Sequence, residues 1–407
     1  MAGRRPRVRA LEPHWVDHEG EKLLVLSDRT GLFDEPLAVP PVVGFILSLC
    51  DGARDEDEIR GRLANEIGQN VEASELTGIL DELEKRLVLE GPACDAAQRA
   101  QLDAYRSAPS RPCTLAGGVY PLETGECRRA LAAYGADDRE PASAYDPDIR
   151  AVISPHIDYH RGGRTYHRVW TRAAAAVRNA DVLLVFGTDH SGGPGTVTLT
   201  RQSYDTPFGP LETDRPIVDA VVEALGEPDA FAEELHHRRE HSIELAAVWA
   251  ASLLDGGKRP SMVPVLCGSF HYFSMGMADP ATEARFTAAL DALKSATRGK
   301  RVVAVAAADL AHVGPAFGDP APLDAAAKEK LRADDEKLVH AAAWGRPDEF
   351  FGQLRAEQDK RRICGLPPIY LTLRYLEDGR GEAVRYEQCP ADANGGSLVS
   401  IAGMLLW

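Results

Sequence analysis

The sequence is poor in cysteine and has no long apolar run. Its 407 residues include 7 cysteines, an odd number without tight spacing, which favours reduced thiols in a cytoplasm over a disulfide framework. No apolar run approaches the roughly 18 residues that a membrane-spanning helix needs. The N-terminus, MAGRRPRVRA, is basic but lacks the apolar segment of a secretory signal. We therefore expect a cytoplasmic protein that has no membrane partner.

Basic residues are also scarce relative to acidic ones. Lysine and arginine total 46 against 62 aspartates and glutamates, and the formal net charge is -16. A nucleic-acid binder or a protein of anionic membranes would need a basic face, so this balance argues against both classes. Small or cationic ligands suit the charge better. The content of 44% hydrophobic residues is that of an ordinary globular protein, and the length allows two or three domains.

The N-terminal region predicts a small domain between two less regular segments. We interpret residues 1–19 as a basic, solvated tail and residues 92–110 as a polar, alanine-rich linker. Residues 20–91 combine a predicted hairpin at GEKLLVL with helices at PVVGFILSLCDG, DEDEIRGRLANEIG and ASELTGILDELEKRLVLEG. This α+β pattern is typical of winged-helix domains, but the acidic later helices argue against DNA binding.

The order of these elements resembles the PqqD-type peptide-recognition domain. The helix ending in LCDG and the acidic helix after it carry the resemblance. It implies that a peptide or partner protein docks through a strand edge. The alternative is an accessory domain that only packs on the larger one.

Three apolar segments in residues 111–407 end in polar loops with ligand-type side chains. They are IRAVISPHIDYHRGG with His156, DVLLVFGTDHSGG with Asp189 and His190, and RVVAVAAADLAHVG with Asp309 and His312. Their unbroken apolar character is typical of strands covered by helices on both faces. A helix predicted over residues 164–178 links the first two strands into a βαβ unit, so both histidines should lie at one sheet edge. The pattern predicts an α/β fold with a mainly parallel sheet.

Two helix starts supply further candidate groups. His241 lies at the start of the helix in REHSIEL, where the helix dipole favours a neutral histidine or a carboxylate. Cys364 stands before a proline-started helix in ICGLPPI, a setting that favours the thiolate. We interpret His236 and His237 as solvated loop residues rather than ligands. Imidazole, carboxylate and thiolate together suit iron, copper or zinc rather than magnesium or calcium, so the pattern predicts a transition-metal site.

Eight ordered motifs resemble the Memo family, the protein B component of the AmmeMemoRadiSam set. They are TLAGGVYP, SPHIDYHRGG, VFGTDHSG, YDTPFGPLETD, REHSIEL, AAADLAHVG, ICGLPPI and SLVSIAG, and they span most of residues 112–407. The family's fold is similar to that of LigB-type class III extradiol dioxygenases, which are non-haem iron enzymes. The resemblance implies a LigB-type three-layer domain over residues 111–407. It also implies radical SAM and AMMECR-type proteins as partners.

The resemblance implies a set of site residues when it is carried over motif by motif. The implied metal ligands are His156, His190 and Cys364, which would hold iron or copper, with zinc as a further choice. The implied pocket and acid–base groups are His241, Asp309 and His312. Two departures from the family's pattern concern neighbouring carboxylates. Asp158 stands where the family often has glycine, and GTDHS, which contains Asp189, replaces a GPSHH-like loop.

Three functions fit these residues. The first is a metal-dependent oxidoreductase acting on an oxygen species or an aromatic substrate, although a thiolate in place of the dioxygenase carboxylate argues against ring cleavage. The second is a peptide- or protein-binding module in which the metal pocket is structural or vestigial. The third is a hydrolase that uses a metal-activated water. The metal content of the purified protein would separate the first from the second.

Overall fold

A computed structural model describes residues 3–28, 30–33, 35–136, 146–254 and 256–407. The chain forms two compact units, residues 1–107 and residues 108–407. Each unit has its own hydrophobic core. The two units are described separately below.

The smaller unit has an antiparallel sheet of three strands and four helices among its described residues. The strands pair in the order β1 (Glu12–His18), β2 (Glu21–Ser27) and β3 (Leu37–Val39). The helices are α1 (Pro41–Leu49), α2 (Glu56–Ile67), α3 (Ala73–Lys85) and α4 (Pro92–Ser107). Buried leucines and isoleucines of α1, α2 and α3 pack against β2 and β3.

The first segment is not the solvated tail that its composition predicts. Glu19 and Gly20 both have positive φ, 53° and 86°, which is the backbone of a two-residue turn that joins antiparallel strands. This turn pairs β1 with β2 residue by residue. Arg9 is also buried and forms an ion pair with Asp28 at 2.8 Å. Residues 3–19 therefore belong to the folded unit.

The segment predicted as a linker, residues 92–110, is also mostly folded. Residues 92–107 form α4, a 16-residue helix that begins at a proline and buries Cys94 and Tyr105. Proline is favoured in the first turn of a helix, and the alanines that follow have the highest helix propensity. The composition that was interpreted as a linker is thus that of an amphipathic helix.

In the larger unit, eight strands of the described residues form one mixed sheet. They are β4 (Ala151–Ser154), β5 (Val182–Thr188), β6 (Val197–Leu199), β7 (Ser261–Cys267), β8 (Val302–Ala307), β9 (His312–Val313), β10 (Gly381–Pro390) and β11 (Leu398–Leu406). The order is β10-β11-β4-β8-β5-β7-β6, and β9 pairs with β11. The central strands β4, β8, β5 and β7 are parallel, whereas the pairs at both edges are antiparallel. The predicted α/β class and mainly parallel centre are confirmed.

Helices cover both faces of this sheet. They are α5 (Thr124–Ala133), α6 (Tyr159–Asn179), α7 (Arg215–Leu225), α8 (Glu227–Ala230), α9 (His241–Ser252), α10 (His271–Ser274), α11 (Ala284–Ala296), α12 (Ala325–Ala343), α13 (Pro347–Ala356) and α14 (Leu366–Leu376). Leu184 and Phe186 of β5 pack with α7, α11 and α14. Leu183 and Val185 face the opposite way, toward α6 and α9. Because both faces of β5 are buried, its sequence does not alternate.

The helix α6 begins five residues earlier than the predicted start at Arg164. The side chain of Asp158 accepts a hydrogen bond from the backbone N–H of Arg161 at 3.1 Å and so caps the helix. With 21 residues, α6 is long enough to cross a membrane, but it carries five arginines. No helix among the described residues has the length and apolar character of a membrane span.

Candidate metal centre

Neighbouring strands bring the predicted site residues to one edge of the sheet. The strand β8 lies between β4 and β5, and all three run in the same direction. His156 follows β4, His190 follows β5 and Asp309 follows β8. The carboxyl ends of parallel strands share one sheet edge, which is why these three loops meet.

Three imidazoles gather at this edge. The ring centroids of His156 and His190 are 5.0 Å apart, those of His156 and His241 are 5.4 Å apart, and those of His190 and His241 are 4.8 Å apart. Each ring offers a ligand nitrogen, and these nitrogens lie within 4.8 Å of one another. His241 therefore joins the two histidines that the sequence motifs pair as ligands.

Hydrogen bonds at Nδ1 fix the direction of each ring. Nδ1 of His156 lies 2.9 Å from the carbonyl oxygen of Ala307. Nδ1 of His190 and Nδ1 of His241 lie 3.0 and 3.1 Å from the two carboxylate oxygens of Glu240. When Nδ1 donates its proton in this way, Nε2 carries the lone pair that a metal ion needs.

Sequence reasoning missed the role of Glu240. It is the residue before α9, and its carboxylate also accepts the backbone N–H groups of His190, His241 and Ser242 at 2.8–3.0 Å. Burial acts to raise the pKa of Glu240, but the two imidazoles outweigh burial and hold it well below its usual value. The acidic residue before the helix is a capping signal, but its reach to His190 depends on the fold.

Cys364 lies against the histidine group. Its Sγ atom is 3.2 Å from Nε2 of His156. The next residue, Gly365, donates its backbone N–H to the carbonyl oxygen of Asp309 at 3.0 Å. A Cβ atom at Gly365 would come within 2.2 Å of that oxygen, so glycine allows the close approach that brings the thiol to His156.

Burial opposes the thiolate form of Cys364. Burial, followed by the nearby carboxylate of Asp309, raises the pKa of Cys364 well above its usual value. The loss of water around the sulfur therefore opposes the thiolate that the helix start favours, and burial has the larger effect.

The carboxylate of Asp309 holds the backbone at His156. Its Oδ1 atom accepts the backbone N–H groups of His156 and Ile157 at 2.8 and 3.1 Å, and its Oδ2 atom lies 3.7 Å from Nε2 of His156. Burial raises the pKa of Asp309, although these hydrogen bonds and the His312 ring oppose the rise. A raised pKa favours the protonated form of a carboxyl group, which can then donate a proton.

His312 lies at the wall of an adjoining cleft. Its Nδ1 atom is 3.1 Å from the carbonyl oxygen of Leu310, and its ring packs edge-on against Phe317. Burial lowers the pKa of His312 and so favours the neutral ring. The cleft has a volume of about 500 Å³ and is also lined by the three grouped histidines, Asp309 and Arg161.

The two aspartates that depart from the family's pattern do not contact the histidine group through their carboxylates. Asp158 lines the same cleft, but its carboxylate forms an ion pair with Arg161 at 2.6 Å. The carboxylate of Asp189 lies 2.8 Å from Nδ1 of His236. Asp189 and His190 are adjacent in sequence, but their side chains make different contacts, with His236 and Glu240 respectively.

His236 and His237 are not solvated, contrary to the sequence-based interpretation. His237 is fully buried, with Nδ1 at 2.8 Å from the Tyr204 hydroxyl and Nε2 at 3.0 Å from the Thr198 carbonyl oxygen. Burial lowers the pKa of His237 to about 3. The side chain of His236 is only 14% exposed. Their polar neighbours RREH suggested a surface loop, but the segment packs against β6 and the Arg111 side chain.

A buried ion pair holds this segment in place. Arg111 and Glu244 are both fully buried and are bonded to each other. Arg111 also donates to the carbonyl oxygens of His237 and Glu240 at 2.6 and 2.9 Å. Glu244 accepts further hydrogen bonds from the backbone and side chain of Thr114. The motifs TLAGGVYP and REHSIEL are therefore linked through Thr114 and Glu244, and Arg111 fixes the backbone at Glu240.

The fold and the site define an α/β protein with a candidate imidazole–thiol metal centre at the carboxyl edge of its sheet. A family model described as "Memo-like protein" matches residues 111–405. The chain belongs to this family.

Relatives described as "MEMO1 family protein" share much of the chain. The protein of Aquifex aeolicus is 22% identical over 411 residues, covering 99% of this chain and 100% of its own length. That of Thermus thermophilus is 26% identical over 337 residues, covering 82% of this chain and 93% of its own length. That of Methanococcoides burtonii is 28% identical over 258 residues, covering 63% and 83%. The first alignment extends through the smaller unit as well.

Proposed function

We propose that this protein is a metal-dependent oxidoreductase whose mononuclear centre binds iron or copper through His156, His190 and Cys364. The observation that carries the proposal is that two imidazoles and a thiol lie together. The Nδ1 atom of each imidazole is already hydrogen-bonded, which leaves Nε2 for a metal. Nδ1 of His156 and Nδ1 of His190 each have a fixed acceptor, and Sγ of Cys364 lies 3.2 Å from Nε2 of His156. Such pre-oriented imidazoles are typical of metal ligands.

The donor set fits these metals. Imidazole suits iron, copper and zinc, and thiolate selects the softer members of that group, whereas magnesium and calcium prefer oxygen ligands. Bound iron or copper would supply one-electron redox chemistry to a substrate or to dioxygen. Ligation requires the deprotonated thiol, so binding at Cys364 releases a proton and becomes tighter as the pH rises.

His241 has two roles consistent with its position, as a third imidazole ligand or as a proton carrier. Burial acts to lower the pKa of His241, but the carboxylate of Glu240 outweighs burial and raises it. A protonated His241 beside the cleft could donate a proton to a bound substrate. Replacing His241 alone separates these roles, because only a ligand affects the metal content.

Asp309 and His312 are the remaining acid–base candidates. Neutral His312 can accept a proton from a substrate in the cleft, since its Nδ1 atom is held by a backbone carbonyl oxygen. Asp309 can hold a proton because burial raises its pKa. We propose a small-molecule substrate for the cleft of about 500 Å³, which lies in the usual size range for such ligands.

We further propose that the larger unit has the LigB-type three-layer arrangement of extradiol dioxygenases. The parallel central strands and the helices on both faces support this likeness. Under this likeness Cys364 would supply a thiolate where those enzymes have a carboxylate ligand, so a reaction other than ring cleavage is favoured. A hydrolase with a metal-activated water would use the same residues and would retain activity with zinc.

A peptide- or protein-binding function is the second candidate, and the smaller unit favours it. The strand β1 is at the edge of its sheet and exposes Trp15 and Val16 by 60% and 43%. An edge strand can add a strand from another chain. We propose a PqqD-like role for this unit, with a peptide, or a partner of the radical SAM or AMMECR type, pairing along β1.

Metal analysis of the full-length protein tests the leading proposal. Protein purified without chelator or affinity metal is analysed for iron, copper and zinc, and compared with the variants His190→Ala and Cys364→Ala. We expect one equivalent of iron or copper in the wild type and less than a tenth of it in both variants. Matched controls are His160→Ala, an exposed histidine of α6, and Cys94→Ala in the smaller unit.

The outcomes separate the candidate functions. A wild-type protein that is metal-free and as stable as the metal-treated protein would overturn the oxidoreductase proposal. Stoichiometric zinc with hydrolytic activity would favour the hydrolase. Oxygen uptake with a panel of catechols tests the dioxygenase likeness directly. Deletion of residues 1–107 should leave the metal content unchanged, because every proposed ligand lies in the larger unit.

A further inference from the structure

A second group of ligand-type side chains shares the turn that carries His190. Asp189, Glu233 and His236 each place one ligand atom within 4.8 Å of the other two. Asp189 follows β5, and the other two residues lie at the short helix Glu234–Arg238. None of the three is a ligand in the first centre.

The contact between Asp189 and His236 has ligand-like dimensions. Oδ2 of Asp189 and Nδ1 of His236 are 2.8 Å apart. Two ligands bound at right angles with bond lengths of about 2.1 Å lie about 3 Å apart, so both atoms can bind one cation after a small shift. The side chain of Asp189 is fully buried, and its Oδ1 atom accepts the N–H of Ser191 at 3.0 Å. The second carboxylate oxygen of Asp189, Oδ2, is therefore the one that faces His236.

Glu233 supplies an independent observation. Its Oε1 atom accepts the backbone N–H of Gly193 at 3.0 Å. Its Oε2 atom is buried and receives no hydrogen bond from the part of the chain that the structure describes. A buried carboxylate oxygen without a donor is costly, and a bound cation or an ordered water is the usual explanation.

The glycine pair in TDHSGG is explained by these carboxylates. A Cβ atom at Gly192 would lie 2.8 Å from Oδ2 of Asp189, and one at Gly193 would lie 3.1 Å from Oε1 of Glu233. Side chains at these two positions would force both carboxylates to move. The turn after β5 is thus shaped to bring the two acidic groups together beside His236.

We propose that Asp189, Glu233 and His236 bind a second divalent cation of the manganese or zinc class. One imidazole with two carboxylates is a harder donor set than the imidazoles and thiol of the first centre, so the two sites should select different metals. Because Asp189 and His190 are adjacent, an ion in the second site would fix the turn that carries a ligand of the first. The competing explanation is an ion pair between Asp189 and His236 that only stabilises the loop.

Titration with Mn²⁺ tests the second site without relying on enzyme activity. The full-length variant His156→Ala/Cys364→Ala, in which the first centre is weakened, is titrated with Mn²⁺ alone, and free Mn²⁺ is measured by electron paramagnetic resonance. We expect one bound equivalent. Adding Glu233→Gln, which keeps the size of the side chain but removes its charge, should weaken that binding at least tenfold.

The control is Glu227→Gln, which removes an exposed carboxylate close in sequence and should leave Mn²⁺ binding unchanged. Unchanged affinity after Glu233→Gln would overturn the proposal, as would absence of both Mn²⁺ and Zn²⁺ binding in the parent variant. If the double variant does not fold, the shift in Tm caused by Mn²⁺ is compared between wild type and Glu233→Gln. The shift should be smaller in the variant. Equal shifts would overturn the proposal and favour the ion pair between Asp189 and His236.

Discussion

His190 and Glu240 are joined twice, through the backbone N–H and through Nδ1 of the histidine, both at 3.0 Å from Oε2 of the carboxylate. The other carboxylate oxygen of Glu240 binds Nδ1 of His241. One acidic side chain therefore sets the position and the tautomer of two imidazoles. His156 has its own acceptor, the carbonyl oxygen of Ala307.

We predict that Glu240→Ala weakens metal binding by 10- to 100-fold without removing any ligand. This is the usual effect of losing the group that orients a metal-bound histidine. The affinity is measured by competition with a chromophoric chelator. Glu227→Ala should bind metal as the wild type does, and equal affinity in the Glu240 variant would contradict the orienting role.

Breaking the buried pair of Arg111 and Glu244 should lower the free energy of unfolding. We predict a loss of about 3–5 kcal/mol for Arg111→Met, because the carboxylate of Glu244 is left buried without its partner. Urea unfolding, with hydrogen exchange of α9 peptides as a local probe, measures the loss.

The exposed pair of Arg346 and Glu349, at 2.9 Å, provides the control for this experiment. Glu349→Gln should change the free energy of unfolding by less than about 1 kcal/mol, since solvent screens such pairs. An effect of Arg111→Met as small as that would show that the buried pair does not stabilise the larger unit.

Gly365→Ala should displace Cys364. The added Cβ atom would lie 2.2 Å from the carbonyl oxygen of Asp309 and 2.5 Å from Cβ of Ala308, so the backbone must move. We predict a loss of about 1–3 kcal/mol in stability and at least tenfold weaker metal binding. Gly352→Ala in α13 is the matched control, because nothing lies within 4 Å of its Cβ position and alanine favours the helix. Unchanged metal binding in the Gly365 variant would contradict this account.

The ion pair of Arg9 and Asp28 should make the smaller unit sensitive to acid. Burial acts to raise the pKa of Asp28, but the hydrogen bonds and charge of Arg9, together with Thr30, outweigh it and lower the pKa from 3.8 to about 2. The folded state thus binds a proton less readily than the unfolded chain. The stabilisation, about 2 kcal/mol, is present above pH 3.8 and is lost as the pH falls to 2.

Hydrogen exchange of β2 peptides between pH 2 and pH 5 checks this pH dependence. In Asp28→Asn the part of the change that depends on this carboxyl group should be absent. Asp103→Asn is a suitable comparison, because Asp103 is an exposed residue of α4 in the same unit. Identical pH profiles in the wild type and the Asp28 variant would contradict the prediction.

The central strands and their parallel direction could be predicted from local sequence patterns. Unbroken apolar segments before His156, His190 and Asp309 indicate buried strands, and the helix between the first two indicates that they run in parallel. These patterns place polar loops at one sheet edge because parallel strands share a carboxyl end. The distances between side chains were not accessible in this way.

The remaining contacts depend on packing between segments distant in sequence. Glu240 reaches His190 across 50 residues, and Arg111 reaches Glu244 across 133. The burial of His236 and His237 was missed because their local sequence is polar. In the smaller unit, the turn at Glu19 and Gly20 is the local feature that indicates the pairing of β1 with β2.

The shared carboxylate of Glu240 also bears on how this protein tolerates mutation. His190 and His241 depend on one residue, so a change that moves the start of α9 alters both imidazoles together. Substitutions at these two histidines should then be epistatic, with a combined effect on metal affinity that differs from the sum of the single effects. The centre would change its ligand set in one coordinated step rather than one residue at a time.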